Sequence, residues 1–200
     1  MTGISSLTIC GLDELATGAL TSATHVLSLL DPDWPEPHML KGFGPRRQLE
    51  IRFHDDIEPG PGIVIPRLDQ IASIMEFGKS ISAEHEHQRE WHLLVHCHLG
   101  ISRSTAAMAI LLAQFNPDDD EDAVFTRVVE IRPQAWPNSR MIKLADQVMK
   151  KNGRFKTALG RLYARQLSAH PDIAQYMAKN GRIRELEMGR LALRYRSSAL

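Results

Sequence analysis

The run His96-Cys97-His98-Leu99-Gly100-Ile101-Ser102-Arg103-Ser104 sets a cysteine and an arginine apart by five residues. That separation is enough to wrap a loop round one tetrahedral phosphate. The N–H groups of residues 98 to 103 can then converge on the anion at the positive end of a following helix. Gly100 tolerates the backbone geometry of such a cradle, and Arg103 offers a planar fork matched to two phosphate oxygens. A positive field of this kind also favours a thiolate. One loop thereby combines phosphate binding with activation of a nucleophile.

The flanking elements suit that task. Leu93-Leu94-Val95 reads as a strand entering the loop, and Thr105 to Gln114, rich in Ala, Leu, Ile and Met, as a helix leaving it. Upstream, strands are expected at 7–10 and 24–30, with a short helix at 12–20 between them. A Pro/Gly-rich loop follows over 31–47. Leu49 to Phe53 alternates with period two, as a half-buried strand should. A helix is expected over 66–80, where Leu68, Ile71, Met75 and Gly78 recur at helical spacing behind Pro66. Residues 84–90 form a charged connector, and further helices are expected at 119–131 and 138–150. The pattern predicts an α/β fold: a central sheet of about four to five strands covered by helices, with the ligand at the carboxyl end of a strand.

HCHLGISRS resembles the active-site loop of the cysteine-dependent protein tyrosine phosphatase superfamily, whose pattern is His-Cys, five residues, Arg, Ser/Thr. Ser102-Arg103-Ser104 resembles the dual-specificity branch, bacterial members of that kind in particular. The resemblance covers roughly residues 5 to 150 and is strongest at the loop. It implies a phosphatase in which Cys97 is the nucleophile and a cysteinyl-phosphate the intermediate. Arg103 and the segment His98, Leu99, Gly100, Ile101 and Ser102 would hold the phosphate. Ser104 would stabilise the thiolate as it leaves, and His96 would orient the loop from behind. No metal or cofactor is implied. In Arg132-Pro133-Gln134-Ala135-Trp136-Pro137-Asn138, Asn138 reads as a helix N-cap and, by resemblance, as a buttress of the loop.

An alcohol or phenol leaving group needs a proton, so an acid is expected on a loop near the site. His54-Asp55-Asp56-Ile57-Glu58-Pro59-Gly60 follows a strand and stands 41 residues before Cys97 at Asp56, a spacing like that of the family. Asp56 is the favoured acid, with Asp55 as the alternative. The Trp-Pro-Asp triplet of the tyrosine-specific branch is absent.

Two hundred residues, 43% hydrophobic and 24% charged, suit one domain or one domain with an appendage. No apolar run approaches the roughly 20 residues that span a bilayer, and no signal peptide is evident. Two cysteines do not make a disulfide framework, so a cytoplasmic enzyme with a reduced thiol is expected. The overall charge of zero hides an asymmetry. Residues 151–200 hold eleven Lys/Arg against three Asp/Glu, a net +8, and the rest holds 13 against 21, a net −8. The expected organisation is a catalytic domain over 1–150 and a basic helical extension over 151–200. That extension has helical faces at Phe155, Leu159, Leu162 and Gln166, and at Ile183, Leu186 and Arg190. It would pack on the acidic body, or serve self-association or an acidic partner; nucleic acid is not expected.

The loop carries no lysine, which argues against a highly charged lipid headgroup. The substrate class is a phosphorylated protein, phosphotyrosine foremost with phosphoserine and phosphothreonine open, or a small phosphate ester. The rival functions are a phosphate-binding scaffold with little turnover and a small-molecule or lipid phosphatase.

Overall fold

The computed structural model describes residues 6–15, 22–35, 47–85 and 91–197. Four strands form one parallel sheet: β1 (Ser6–Cys10), β2 (His25–Leu30), β3 (Arg47–Arg52) and β4 (His92–His96), in the order β1-β4-β2-β3. Seven helices are described: α1 (Leu68–His85), α2 (Arg103–Phe115), α3 (Glu121–Ile131), α4 (Ser139–Val148), α5 (Arg154–Ala169), α6 (Pro171–Lys179) and α7 (Ile183–Ser197). The α/β architecture with a central sheet and covering helices is thus present. The helix expected over 12–20 lies largely outside the described residues, as do 36–46 of the long loop and 86–90 of the charged connector.

Strand β4 sits between two neighbours and is buried along its whole length. Its two faces serve separate cores. Leu94 packs with Val26, Cys10 and Leu15 on one side. Leu93 and Val95 pack with Leu27, Leu29 and the helices on the other. Burial on both faces explains the unbroken apolar run, since a one-sided strand would alternate. Strand β3 at the sheet edge does alternate in burial, with Ile51 inward and Glu50 outward.

Helix α2 is buried from Arg103 to Ala113. Its alanines let neighbouring elements approach closely, so it runs through the middle of the helical layer. The remaining strands bring their carboxyl ends to the start of this helix, where β1 delivers Cys10 and Gly11, β2 delivers Asp31, and β3 delivers Phe53 to Asp56.

The basic segment packs directly on the acidic body. Phe155, Leu159 and Leu162 are fully buried and Gln166 nearly so, and burying each such large apolar side chain is worth about 1.5–3 kcal/mol. Ion pairs join the same surfaces: Arg154 with Glu121 at 3.2 Å and Arg161 with Asp122 at 2.5 Å. Of the face expected in α7, Leu186 alone is buried. Ile183 and Arg190 are exposed, whereas Arg182, Glu185, Leu186 and Gly189 turn inward. A buried ion pair occupies that face, and apolar spacing alone does not reveal one.

Candidate active site

The phosphate-loop candidate, 97–103, joins β4 to α2. Cys97 is 2% exposed at its base, with Sγ 3.2 Å from Ser104 Oγ. Each carbonyl of residues 98–102 has a partner outside the loop's mouth. His98 O accepts from Leu12 N at 2.9 Å, and Ile101 O accepts from Trp136 N at 2.8 Å. Ser102 O accepts from Ala106 N at 3.0 Å and Asn138 N at 3.3 Å. Arg132 spans the other two, donating from Nη2 to Leu99 O and from Nε to Gly100 O, both at 3.1 Å. With the carbonyls drawn outward, the N–H groups of 98–102 have no protein partner among the described residues. Such a nest of inward amides at a helix N-terminus is an anion site.

Glycine is required where the loop meets β1. Gly100 has φ +69°, and a Cβ there would lie 2.5 Å from the Cys10 carbonyl carbon. A Cβ on Gly11 would come within 2.9 Å of His98 O.

Arg103 is 3% exposed. Its Nη1 donates to Asp31 Oδ1 at 2.6 Å and to the Phe53 carbonyl at 2.7 Å. The buried Nε has no hydrogen-bond partner among the described residues. The Nε/Nη2 edge of the guanidinium is therefore free to make the bidentate contact that a phosphate offers.

His96 is fully buried, with Nε2 2.7 Å from Ser28 Oγ. Burial, helped by the positive neighbours His98 and Arg103, pushes its pKa down to about 4, so it is a neutral side chain behind the loop. His98 is also pushed down, by burial first and then by Arg103, against the pull of Asp31 and Asp55. Its ring lies 4.3 Å from that of Trp34. Cys10 is a spectator thiol: burial, reinforced by Glu14, pushes it up to about 12.

The two aspartates at the end of β3 behave differently. Asp55 Oδ1 accepts from Ser102 Oγ and Asn138 Nδ2, both at 2.8 Å, and from Arg182 Nη1 at 3.1 Å. Asp56 has no hydrogen-bond partner among the described residues and lines a cavity that Asp55 and Cys97 also line. Asn138 both caps α4, accepting from Arg140 N and Met141 N at 3.1 Å, and braces Asp55. Trp136 is core: it is fully buried, stacked on Tyr163 with centroids 4.7 Å apart.

A cavity of about 370 Å³ gathers Cys97, Arg103, Asp31, Asp55 and Asp56, and Tyr176, Asn180 and Arg182 of the C-terminal helices form one wall. Asp31, Arg132 and Arg182 are site residues that sequence reading missed. Asp31 reads locally as a strand stop before Pro32, and Arg132 as part of a turn. No local signal marks Arg182.

No family model matches the chain, and no curated protein matches it. Solved structures do. Human DUSP28 is similar over 74% of this chain and 94% of its own, with TM-score 0.55 and 16% identity. The human tyrosine phosphatase-like serine/threonine/tyrosine-interacting protein is similar over 74% and 93%, with TM-score 0.54 and 17% identity. PTPMT1 in complex with PI(5)P is similar over 74% and 92%, with TM-score 0.52 and 14% identity. The fold is that of the dual-specificity and protein tyrosine phosphatases. At these identities the likeness speaks to fold. Among the described residues, no helix is long and apolar enough to cross a membrane.

Proposed function

We propose that the chain is a cysteine-dependent phosphatase of phosphate monoesters, phosphotyrosine foremost. The observation that carries this reading is the pairing of Cys97 with a cradle whose carbonyls all face away from the cavity, beside an Arg103 whose Nε/Nη2 edge is free. In the first step the Cys97 sulfur attacks phosphorus in line with the leaving oxygen. The S–P bond forms as the P–O bond breaks, and Asp56 transfers its proton to the departing oxygen. Loop amides and Arg103 hold the three equatorial oxygens and their developing charge. In the second step water, losing a proton to Asp56, attacks phosphorus, and the sulfur leaves as a thiolate beside Ser104 Oγ.

Asp56 is preferred over Asp55 as the acid. Three donors, one a guanidinium, converge on Asp55 Oδ1 and tie that carboxylate to Ser102, Asn138 and Arg182 as a brace. Asp56 carries no such partner and faces the cavity. Three carboxylates line that cavity, and the loop lacks lysine. The carboxylates repel multiply phosphorylated lipid headgroups, and the lack of lysine leaves the loop without an added counter-charge for them.

Hydrolysis of p-nitrophenyl phosphate in chelator tests the reading across wild type, Cys97→Ser, Asp56→Ala and Asp55→Ala. Wild type should turn over and Cys97→Ser should be inert while still binding vanadate. Asp56→Ala should lose rate, by less than the roughly 10²–10⁴-fold worth of a general acid because p-nitrophenolate leaves readily without a proton. A wild type that binds vanadate without turnover would instead make the loop a phosphate receptor.

A further inference from the structure

Arg182 stands 126 residues beyond Asp56 in the chain, yet its guanidinium is buried against the catalytic loops, 3% exposed. Nη1 donates to Asp55 Oδ1 at 3.1 Å and to the Asp55 carbonyl at 3.2 Å. Both terminal nitrogens reach Ser102 Oγ at 3.2 Å. Nη2 donates to Glu185 Oε1 at 2.7 Å. Glu185 is fully buried and is itself anchored, accepting from Trp136 Nε1 at 2.8 Å and Ser139 N at 2.7 Å. A chain of contacts therefore runs from the floor under α4, through Glu185 and Arg182, to the acid-bearing segment and the phosphate loop together. Gly181, with φ +74°, makes the turn that delivers Arg182 between α6 and α7. Arg184 adds an exposed tie to Glu58 at 2.5 Å on the same segment.

We propose that the C-terminal helices are part of the catalytic unit, with Arg182 a positioning residue that fixes Asp55 to Ser102 and so holds Asp56 over Cys97. This rests on the phosphatase reading above. Rigidity at this point matters because a general acid acts only within hydrogen-bond reach of the leaving oxygen. Ser102 and Asn138 each give Asp55 one donor, both to Oδ1, and the serine hydroxyl rotates. A planar guanidinium with two ends engaged fixes both direction and distance. Lysine, a single point donor, cannot span Glu185, Ser102 and Asp55 at once.

The test compares wild type, Arg182→Lys and the double variant Arg182→Met/Glu185→Gln. The double variant removes both buried charges together, and so avoids the uncompensated buried charge that losing one partner would leave, while the glutamine amide keeps an acceptor oxygen for Trp136 or Ser139. Phenyl phosphate and p-nitrophenyl phosphate are compared as substrates, because only the poorer leaving group depends strongly on the acid. Amide exchange at residues 54–57 is measured alongside. Expected are faster exchange at 54–57, a loss of about 10²-fold in kcat on phenyl phosphate, a much smaller loss on p-nitrophenyl phosphate, and vanadate affinity close to wild type. Equal losses on both substrates, or unchanged exchange at 54–57 in a folded variant, would overturn the proposal. An inert wild type would defeat the phosphatase reading alone; exchange at 54–57 would still decide whether Arg182 holds the segment.

Discussion

Asp31 grips Arg103 by one nitrogen only: Oδ1 lies 2.6 Å from Nη1, and the Nε/Nη2 edge is left free. The contact holds the guanidinium in place before any phosphate arrives. It joins the end of β2 to the end of the loop, 72 residues apart. Asp31→Asn keeps an oxygen that accepts from Nη1, whereas Asp31→Ala does not. Both remove the same charge, so their difference reads the positioning contact alone. Vanadate should inhibit Asp31→Asn about tenfold more strongly than Asp31→Ala, the worth of one charge-assisted hydrogen bond of about 1.5 kcal/mol. Equal inhibition constants would show that the Phe53 carbonyl suffices.

Arg132 is the outer clasp of the cradle. Its two donors turn Leu99 O and Gly100 O outward, and Glu14 Oε1 holds Nη1 at 2.7 Å. Arg132→Ala should weaken phosphate and vanadate binding by about thirtyfold, since two loop carbonyls are released at about 1 kcal/mol each. Titration of vanadate against turnover measures this. The thiol itself is untouched, so alkylation of Cys97 by iodoacetamide should persist in the variant.

His96 sets a pH limit on the fold. Its folded pKa of about 4 lies below the unfolded value of about 6.5. Above pH 6.5 both states hold it neutral, and the burial is without pH cost. As pH falls through 6.5 toward 4 the unfolded chain takes up a proton that the folded chain refuses. Stability should therefore drop by about 1.4 kcal/mol per pH unit in that window, to roughly 3 kcal/mol in all. Urea midpoints at pH 7 and pH 5 measure it, and His96→Gln should flatten this part of the slope.

Ser104 Oγ lies 3.2 Å from Cys97 Sγ. Ser104→Ala should slow breakdown of the intermediate more than its formation. Stopped-flow on p-nitrophenyl phosphate should then show a burst followed by a steady rate lowered by about tenfold, equivalent to one hydrogen bond to a charged group at about 1.5 kcal/mol. A burst-free, uniformly slower course would assign Ser104 to the first step.

What is legible in the sequence is what is local. The phosphate loop lies within nine consecutive residues, and strand, turn and helix follow one another there, so residue types and spacing suffice. The buried strands announce themselves by apolar runs, at 26–30 interrupted by Ser28 and at 93–95 unbroken. Asn138 is legible as a cap, and its second contact, to Asp55, arises because the cap stands beside the end of β3. Arg182 is not legible, because it acts on Ser102 across 80 residues through a fold no short window describes. Of the helical face read at Ile183, Leu186 and Arg190, Leu186 is buried and the other two stand in solvent. The buried face is instead organised by the Arg182–Glu185 pair, whose charges sequence patterning assigns to the surface. Asp55 and Asp56 are adjacent and alike in sequence, and only their partners tell them apart.

The most direct measurement is rapid acid quench of Ser104→Ala during turnover of p-nitrophenyl phosphate, followed by peptide mass spectrometry for phosphorus on cysteine. Phosphate on Cys97, absent from Cys10 and absent from a Cys97→Ser control, is the expected result. Sustained turnover with no phosphate on Cys97, or turnover undiminished in Cys97→Ser, would contradict the covalent mechanism.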